Sequence, residues 1–471
     1  MDDGGAGDGR LANPPDRTPA AEWRPPNRPV RTKMSRGDTI FALASAAGRA
    51  GVAVFRVSGP SAKDCVKHLT GQEIPPSNRA VVRTLRGRQG AIDEALVLWF
   101  EGPASLTGED VAEFQVHGGR AIAEALAAEL GALSGCRPAE AGEFTRRAVE
   151  HGKFDLTQAE AIADLVAAET EAQRRQALRQ YDGALGALYE GWRAELIKAL
   201  AWAEAVIDFS DEEVPEDLLA ETRRTAEAVR TAVEAHLDDA RRGELVREGL
   251  FLTVIGPPNA GKSSLVNALA GRDVAIVSET AGTTRDVVEV RLDLGGYAVI
   301  LADTAGLRAA SEGVEAEGVR RALARAESAD LILLLRDGSD AKSSVVLPEN
   351  MVNKPSLTVW NKADLPWPVP RDGLKLSLKT GEGLDAVIAA IAAAAKERLG
   401  VPGEAPMLTR PRHRHALGEA AAALRRAAGA REPELFAEDL RLALRSLGRL
   451  NGRVDVEELL DTIFRDFCIG K

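Results

Sequence analysis

The chain has 471 residues, of which 45% are hydrophobic and 28% charged, and at roughly 150 residues per domain it suggests about three domains. That balance excludes a wholly disordered chain and a collagen-like or low-complexity fibre. Sixty basic against 71 acidic residues leave a net charge of −11, which excludes a general coat for nucleic acid because phosphate would be repelled.

The longest unbroken apolar run is Ala386–Ala395. Spanning a bilayer takes about 20 residues, so this alanine-rich run reads as a buried helix. Cys65, Cys136 and Cys468 are an odd, sparse set with no zinc-type spacing. They form no disulfide framework and point to a reducing compartment. The N-terminus has no apolar core of a secretory signal, and Asp2, Asp3, Asp8 and Asp16 argue against a mitochondrial transit peptide. A cytoplasmic protein is expected.

In chain order, residues 1–37 are rich in proline and glycine with no apolar period and read as a disordered extension. Residues 38–151 alternate short apolar runs with turn signals. Thr39–Ala44, Gly51–Val57 and Ala95–Phe100 read as strands and Ile122–Leu133 as a helix, an α+β domain. Residues 152–247 form the first part of a helical domain. Trp192, Leu196, Leu200, Ala203 and Ile207 make one helical stripe, and Asp211-Glu212-Glu213 with Pro215 break the pattern. Residues 248–397 alternate strands and helices. Leu250–Ile255, Ala298–Leu301, Leu331–Leu335 and Leu357–Trp360 are buried strands, so a doubly wound parallel sheet is predicted. Residues 398–471 are helical again. Leu440, Leu444 and Leu447 form one stripe, and Val456, Leu459, Leu460, Ile463 and Phe467 another. The economical reading is a helical domain with a nucleotide-binding α/β domain inserted into it.

Gly256-Pro257-Pro258-Asn259-Ala260-Gly261-Lys262-Ser263 matches G-x-x-x-x-G-K-[ST] between a strand and a helix, the context that a phosphate-binding loop needs. Its backbone N–H groups would wrap phosphates, Lys262 would reach the β- and γ-phosphates and Ser263 would hold Mg²⁺. Asp303-Thr304-Ala305-Gly306 follows a strand; Asp303 can hold a magnesium-bound water and Gly306 can sense the γ-phosphate. Asn361-Lys362-Ala363-Asp364 follows the next strand. A carboxylate there accepts two hydrogen bonds from guanine N1–H and N2–H₂, which adenine cannot donate. Ser377-Leu378-Lys379 would contact the guanine oxygen. The order is that of translation-factor-like GTPases, with GTP as substrate. Leu307 stands where a Ras-like protein has glutamine. An aliphatic side chain cannot orient the attacking water, so the role moves, with Glu315 and Glu317 as near candidates beside a plain solvated helix face. Asn259 could ligate a cation beside the phosphates or simply tolerate a left-handed turn.

The motifs taken together resemble the tRNA modification GTPase MnmE (TrmE) family over roughly residues 38–471. They comprise Asp38-Thr39-Ile40, Gly48-Arg49-Ala50-Gly51, Arg56-Val57-Ser58-Gly59, Thr107-Gly108-Glu109-Asp110, His117-Gly118-Gly119 and Gly142-Glu143-Phe144-Thr145. They continue with Gly152-Lys153-Phe154-Asp155-Leu156-Thr157-Gln158-Ala159-Glu160-Ala161, Gly282-Thr283-Thr284-Arg285-Asp286 and the terminal Cys468-Ile469-Gly470-Lys471. The resemblance implies nucleotide contacts from Asn259, Ala260, Gly261, Lys262, Ser263, Ser264, Ser278, Glu279, Thr280, Ala281, Gly282, Thr283 and Thr284. It adds Asp303, Thr304, Ala305, Gly306, Asn361, Lys362, Ala363, Asp364, Ser377, Leu378 and Lys379. It implies K⁺ held by the Asn259 and Thr283 side chains with the Ser278 and Thr280 carbonyls, where an arginine finger would otherwise put positive charge. Mg²⁺ falls to Ser263 and Thr284, and orientation of the water to Glu315. It further implies an N-terminal tetrahydrofolate-binding-like domain, with Arg56, Glu113, Lys153 and Lys471 contacting a formyl- or methylene-tetrahydrofolate and a functional Cys468, whose plainer reading is a small buried hydrophobe. Ala50 and Leu106 depart from the family's pattern, both in the folate domain.

The expected activity is K⁺-stimulated GTP hydrolysis coupled to tRNA modification. With a flavin-dependent (FAD-binding, MnmG/GidA-like) partner, a carboxymethylaminomethyl or aminomethyl group would be added to C5 of wobble uridine. The expected assembly is a homodimer through the N-terminal domain, with GTP- and K⁺-dependent contact of the GTPase domains, joined to the partner in a heterotetramer that acts on tRNA and not on a membrane. A ribosome-binding GTPase would need an RNA-binding module such as a KH domain, and no basic G-x-x-G helix pair is visible. A purely nucleotide-switched scaffold would leave the folate-like residues and the terminal tetrapeptide without purpose.

Overall fold

The structure, a computed structural model, describes residues 37–208, 216–239, 241–272, 274–276, 289–302, 327–340, 343, 347, 349–368, 372–400, 406–454, 460–461, 463–464, 467 and 469–470. The expected extension 1–37 therefore lies outside the described residues, Gly37 excepted. The chain divides into two compact units, Met1–Glu140 with Ile469–Lys471, and Ala141–Cys468.

The first unit is built from β1 (Thr39–Leu43), β2 (Ala50–Ser58), α1 (Ala62–Thr70), β3 (Val81–Gly87), β4 (Gly90–Phe100), β5 (Val111–Gly118), α2 (Arg120–Gly131) and β6 (Cys136–Pro138). Its strands form one sheet in the order β3-β4-β5-β2-β1-β6. The pair β1–β6 is parallel and the others are antiparallel. Period-two alternation decides which residues face the core. Ala53, Phe55 and Val57 of β2 and Ala112, Phe114 and Val116 of β5 pack with Val66 and Leu69 of α1 and Leu126 and Leu130 of α2. The residues between them, Arg56 on β2 and Glu113 on β5, are thereby directed to the opposite face and stand directly opposite each other in register.

The second unit opens with helices α3 (Glu143–Glu150), α4 (Leu156–Ala167), α5 (Glu171–Tyr181), α6 (Ala184–Asp208), α7 (Glu216–Leu237) and α8 (Arg242–Glu248). The α/β part follows with β7 (Leu250–Ile255), α9 (Lys262–Ala270), β8 (Ala275–Ile276), β9 (Glu289–Leu294), β10 (Tyr297–Ala302), β11 (Leu331–Asp337), β12 (Ser356–Asn361), β13 (Leu374–Lys375) and α10 (Leu384–Leu399). The chain then returns to helix in α11 (Pro411–Gly429) and α12 (Pro433–Leu450). The seven strands lie in the order β13-β12-β11-β7-β10-β9-β8. The run from β13 to β10 is parallel, while β9 is antiparallel to both its neighbours. A single helical core draws on both sides of the α/β part: Tyr189, Leu196 and Ala203 of α6 and Val229 and Val233 of α7 pack with Leu417 and Leu424 of α11 and Leu440 and Leu447 of α12. The stripe that starts at Trp192 is the face of α6 turned to this core.

The run Ala386–Ala395 lies in α10, and its burial is one-sided. Val387, Ile391 and Ala395 are buried among the sheet residues, whereas Ala386, Ala389 and Ala393 are exposed. A period of 3.6 residues admits only one face to the core, and alanine accepts either side.

Candidate functional site

Parallel pairing brings the C-terminal ends of β7, β10, β11 and β12 to one edge of the sheet, the edge at which open α/β sheets bind ligands. In β7, Leu250, Leu252, Thr253, Val254 and Ile255 are buried, so the strand stops at Gly256 with its direction set by the core. A Cβ at Gly256 would come within 2.2 Å of the Leu335 carbonyl oxygen on β11, so only glycine lets the loop leave the sheet this closely. Asn259 is exposed at the loop's tip with φ +59°, a left-handed conformation that its short amide tolerates. Gly261 is the N-cap of α9, whose first turn carries Lys262, Ser263 and Ser264. The Lys262 ammonium donates to the carbonyls of Gly256 and Pro257, both at 2.9 Å, and burial lowers its pKa from the usual lysine value.

Asn361 joins two parts of the site. It is 4% exposed; its Nδ2 donates to the Ala260 carbonyl at 2.8 Å and its Oδ1 accepts from the Leu378 N–H at 3.2 Å. The phosphate loop and the segment Ser377-Leu378-Lys379 are thus held on one side chain. Asp364 Oδ1 accepts from the Ser377 hydroxyl at 2.7 Å, and Lys379 Nζ lies 3.9 Å from its Oδ2. The Ala363 N–H donates to the Leu376 carbonyl. Lys362 adopts φ +66° and its ammonium donates to Asp337 Oδ2 at 2.6 Å. Asp337 was not singled out from the sequence. It ends β11 directly opposite Asn361 in register, so an acid at the end of the neighbouring strand was the available signal. Burial opposes its ionisation, but Lys362 and Ser339 outweigh that and hold its carboxyl below the usual range.

The residues present fit a magnesium nucleotide. A glycine cradle too close to β11 for a Cβ, a helix N-terminus with free N–H groups and a serine hydroxyl in its first turn are what phosphates and a hard cation require. Ser278, Glu279, Thr280, Ala281, Gly282, Thr283 and Thr284 lie outside the described residues, as do Asp303, Thr304, Ala305, Gly306, Glu315, Cys468 and Lys471.

In the first unit, Arg56 Nε donates to Glu113 Oε1 at 2.9 Å, and Arg56 Nη1 donates to the Gly470 carbonyl at 3.4 Å. A Cβ at Gly470 would come within 2.3 Å of the Leu43 carbonyl oxygen, at φ +97°, so glycine permits the tail to lie against the end of β1. Two of the four residues expected at the folate site, Arg56 and Glu113, therefore meet, with the Gly470 carbonyl beside them. Lys153 belongs to the second unit. Its backbone N–H donates to the Ala148 carbonyl at 2.8 Å as the chain leaves α3.

Several motif residues hold the fold. Ser58 Oγ lies 2.7 Å from Thr107 Oγ1 and donates to Glu109 Oε2 at 2.7 Å, while Asp110 accepts from the Gly102 N–H. Asp155 and Gln158 form a capping box at the start of α4. Glu160, 2% exposed, accepts from Arg412 Nε at 2.5 Å and Nη2 at 2.8 Å and lies 2.9 Å from His413 Nε2.

A family model described as the MnmE helical domain matches residues 156–468, and one described as the GTP-binding protein TrmE N-terminus matches residues 39–153. The tRNA modification GTPase MnmE of Parvibaculum lavamentivorans is 55% identical over 444 residues, covering 92% of this chain and 100% of the relative. Its counterpart in Paramagnetospirillum magneticum is 55% identical over 443 residues, with coverages of 92% and 100%. That of Rhodospirillum rubrum is 54% identical over 454 residues, with coverages of 92% and 99%.

Proposed function

The chain belongs to the MnmE family of tRNA modification GTPases, and from that membership we propose that it is a K⁺-stimulated GTPase that modifies wobble uridine. It hydrolyses GTP in tRNA modification. With a flavin-dependent partner it adds a carboxymethylaminomethyl or aminomethyl group to C5 of the base, taking the carbon from a tetrahydrofolate. It works as a cytoplasmic homodimer whose GTPase domains meet when GTP and K⁺ are bound.

The observation that carries this reading is the Asn361 bridge, which fixes the phosphate loop against Ser377-Leu378-Lys379 beside Asp364. The N–H groups at the start of α9 receive phosphate oxygens, and Lys262 exchanges two loop carbonyls for the β- and γ-oxygens. Asp364 accepts from the guanine edge. Ser263 with Thr284 would hold Mg²⁺, and Asn259 with Ser278, Thr280 and Thr283 would hold K⁺; these cations offset charge on the transferring phosphoryl group. Glu315 orients the water that Leu307 cannot. Arg56 offers a cation to the glutamate tail of the folate, and Glu113 accepts from its pterin.

Two measurements test the proposal. Hydrolysis should be faster in KCl than in NaCl, and Asn259→Ala should lose the difference while still binding GTP; equal rates in the two salts for the unmodified protein rule out the K⁺ site. Nucleoside mass spectrometry of tRNA from a deletion strain should show loss of the wobble modification, and unchanged tRNA rejects the function.

A further inference from the structure

Cys65 and Cys136 are free cysteines separated by 71 positions in sequence, yet their Sγ atoms lie 3.5 Å apart. Cys65 is on α1, fully buried in the core beneath the sheet, and Cys136 packs half-buried against the same core. None of the roles assigned to the first unit uses either thiol. We propose that Cys65 and Cys136 are a reversible dithiol–disulfide site, closed by hydrogen peroxide and reopened by a dithiol reductant.

The geometry supports closure. A disulfide needs about 2.05 Å between sulfurs, so the pair must approach by about 1.5 Å from 3.5 Å. Cys136 opens β6, a strand of three residues at the sheet's edge that among the described residues is paired only with β1. Such a strand can shift by that amount without breaking the central ladder. Cys136 is also the thiol that peroxide can reach, because Cys65 has no exposed surface. The hydrogen bond from Cys65 lowers the pKa of the Cys136 thiol, and the same contact together with burial raises that of Cys65. The attacking sulfur and the resolving sulfur are thereby distinguished.

The Cys136 thiolate attacks one peroxide oxygen. The O–O bond breaks, a Cys136 Sγ–OH bond forms, and hydroxide leaves as water with the thiol's proton. Cys65 sulfur then attacks Cys136 sulfur, the S–O bond breaks, and the hydroxyl departs as a second water with the Cys65 proton. Two thiols lose two electrons, and one peroxide becomes two waters. A dithiol restores the pair by exchange. The closed bond ties α1 to β6, which suits a transient switch in a reducing compartment better than a permanent staple.

The full-length protein should be treated with hydrogen peroxide, denatured in guanidinium chloride so that the buried Cys65 thiol becomes accessible, alkylated with iodoacetamide and digested without reduction. Of its three cysteines, Cys65 and Cys136 should both lose alkylation and appear as one linked peptide pair, two hydrogens lighter than the separate peptides. Dithiothreitol should restore both. Cys468→Ser should give the same pair, and Cys65→Ser should leave a Cys136 sulfenic acid that dimedone traps. Alkylation of Cys65 undiminished by peroxide in the unmodified protein overturns the proposal, whether Cys136 stays reduced or advances to sulfinic acid. So does a link from either thiol to Cys468 in place of the Cys65–Cys136 pair. These readouts on the unmodified protein hold even where a serine variant fails to fold.

Discussion

Asp364 is 18% exposed at its side chain and commits one oxygen to the Ser377 hydroxyl. Its carboxylate is the only kind of side chain that accepts from both guanine N–H groups at once. Asp364→Asn replaces one acceptor by a donor, which leaves a guanine N–H unpaired. That loss costs about 1–3 kcal/mol, roughly 5- to 150-fold in affinity. Titration with a fluorescent nucleotide should show weaker GTP binding and improved binding of xanthosine triphosphate, whose C2 carbonyl can accept from the new amide. GTP affinity equal to that of the unmodified protein rejects Asp364 as the base-reading residue. Glu315 acts, in the proposed mechanism, only on the attacking water. Glu315→Ala should therefore lower single-turnover hydrolysis by about 10²-fold or more with nucleotide affinity nearly unchanged, because positioning of this kind is felt in kcat. Hydrolysis at the original rate moves the role to Glu317.

At the level of elements, the contact between α4 and α11 rests on ions. Glu160 meets Arg412 through two hydrogen bonds and faces His413. One turn on, Asp164 accepts from Arg410 at 2.7 Å and from Arg247 of α8 at 3.0 Å. Glu160→Ala leaves the half-buried Arg412 charge without its counter-ion, a change that costs up to about 3 kcal/mol, the lower end of the range for a fully buried pair. Thermal unfolding should show a transition several degrees lower. The double change Glu160→Leu with Arg412→Met should cost less, because no charge is then stranded. A single variant as stable as its parent contradicts this account. The same packing explains why the Gly152–Ala161 motif is an architectural one in much of its length: Asp155 and Gln158 cap α4 and Glu160 docks it. The sequence put the motif at the start of the helical domain but could not distinguish a ligand contact from a helix contact, since both use the same polar atoms.

For the molecule as a whole, these groups contribute to how stability varies with acidity. Burial disfavours an ionised Glu160, but Arg412 and His413 outweigh it and hold its carboxyl well below the usual range. Burial also lowers His413 and His236 below the ordinary histidine value of 6.5. The folded state thus binds fewer protons than the unfolded chain at all three. Their contribution is complete above pH 6.5 and is lost as pH falls, first through the histidines and then, below the ordinary glutamate value of 4.5, through Glu160. Asp164, raised by burial above the ordinary value of 3.8, opposes this loss in the same acid range. Thermal midpoints should be level near neutrality and decline below about pH 6.5, and His413→Gln should flatten the first part of the decline. Midpoints that rise on acidification exclude this assignment of charge.

Much of the architecture was determined by the sequence alone, because its signals are contiguous. Leu250–Ile255 is the same strand in the sequence and in the structure, and the glycines and Lys262 that follow it are spaced by the loop they build. The strands expected at Leu331 and Leu357 are present with one or two residues added. The helix expected over Ile122–Leu133 begins two residues earlier and ends at Gly131, since end residues carry no periodic signal. Only the tertiary structure decided what depends on register and on distant packing. Arg56 meets Glu113 because β2 and β5 align at that pair, Glu160 meets Arg412 across 252 positions, and Asp337 reaches Lys362 because two strand ends coincide. Cys65 and Cys136, which as a spacing meant only a reduced chain, became a pair of sulfurs in contact when α1 folded against the sheet. Local periodicity can specify an element and its buried face, but no residue encodes alone the neighbour that another segment brings to it.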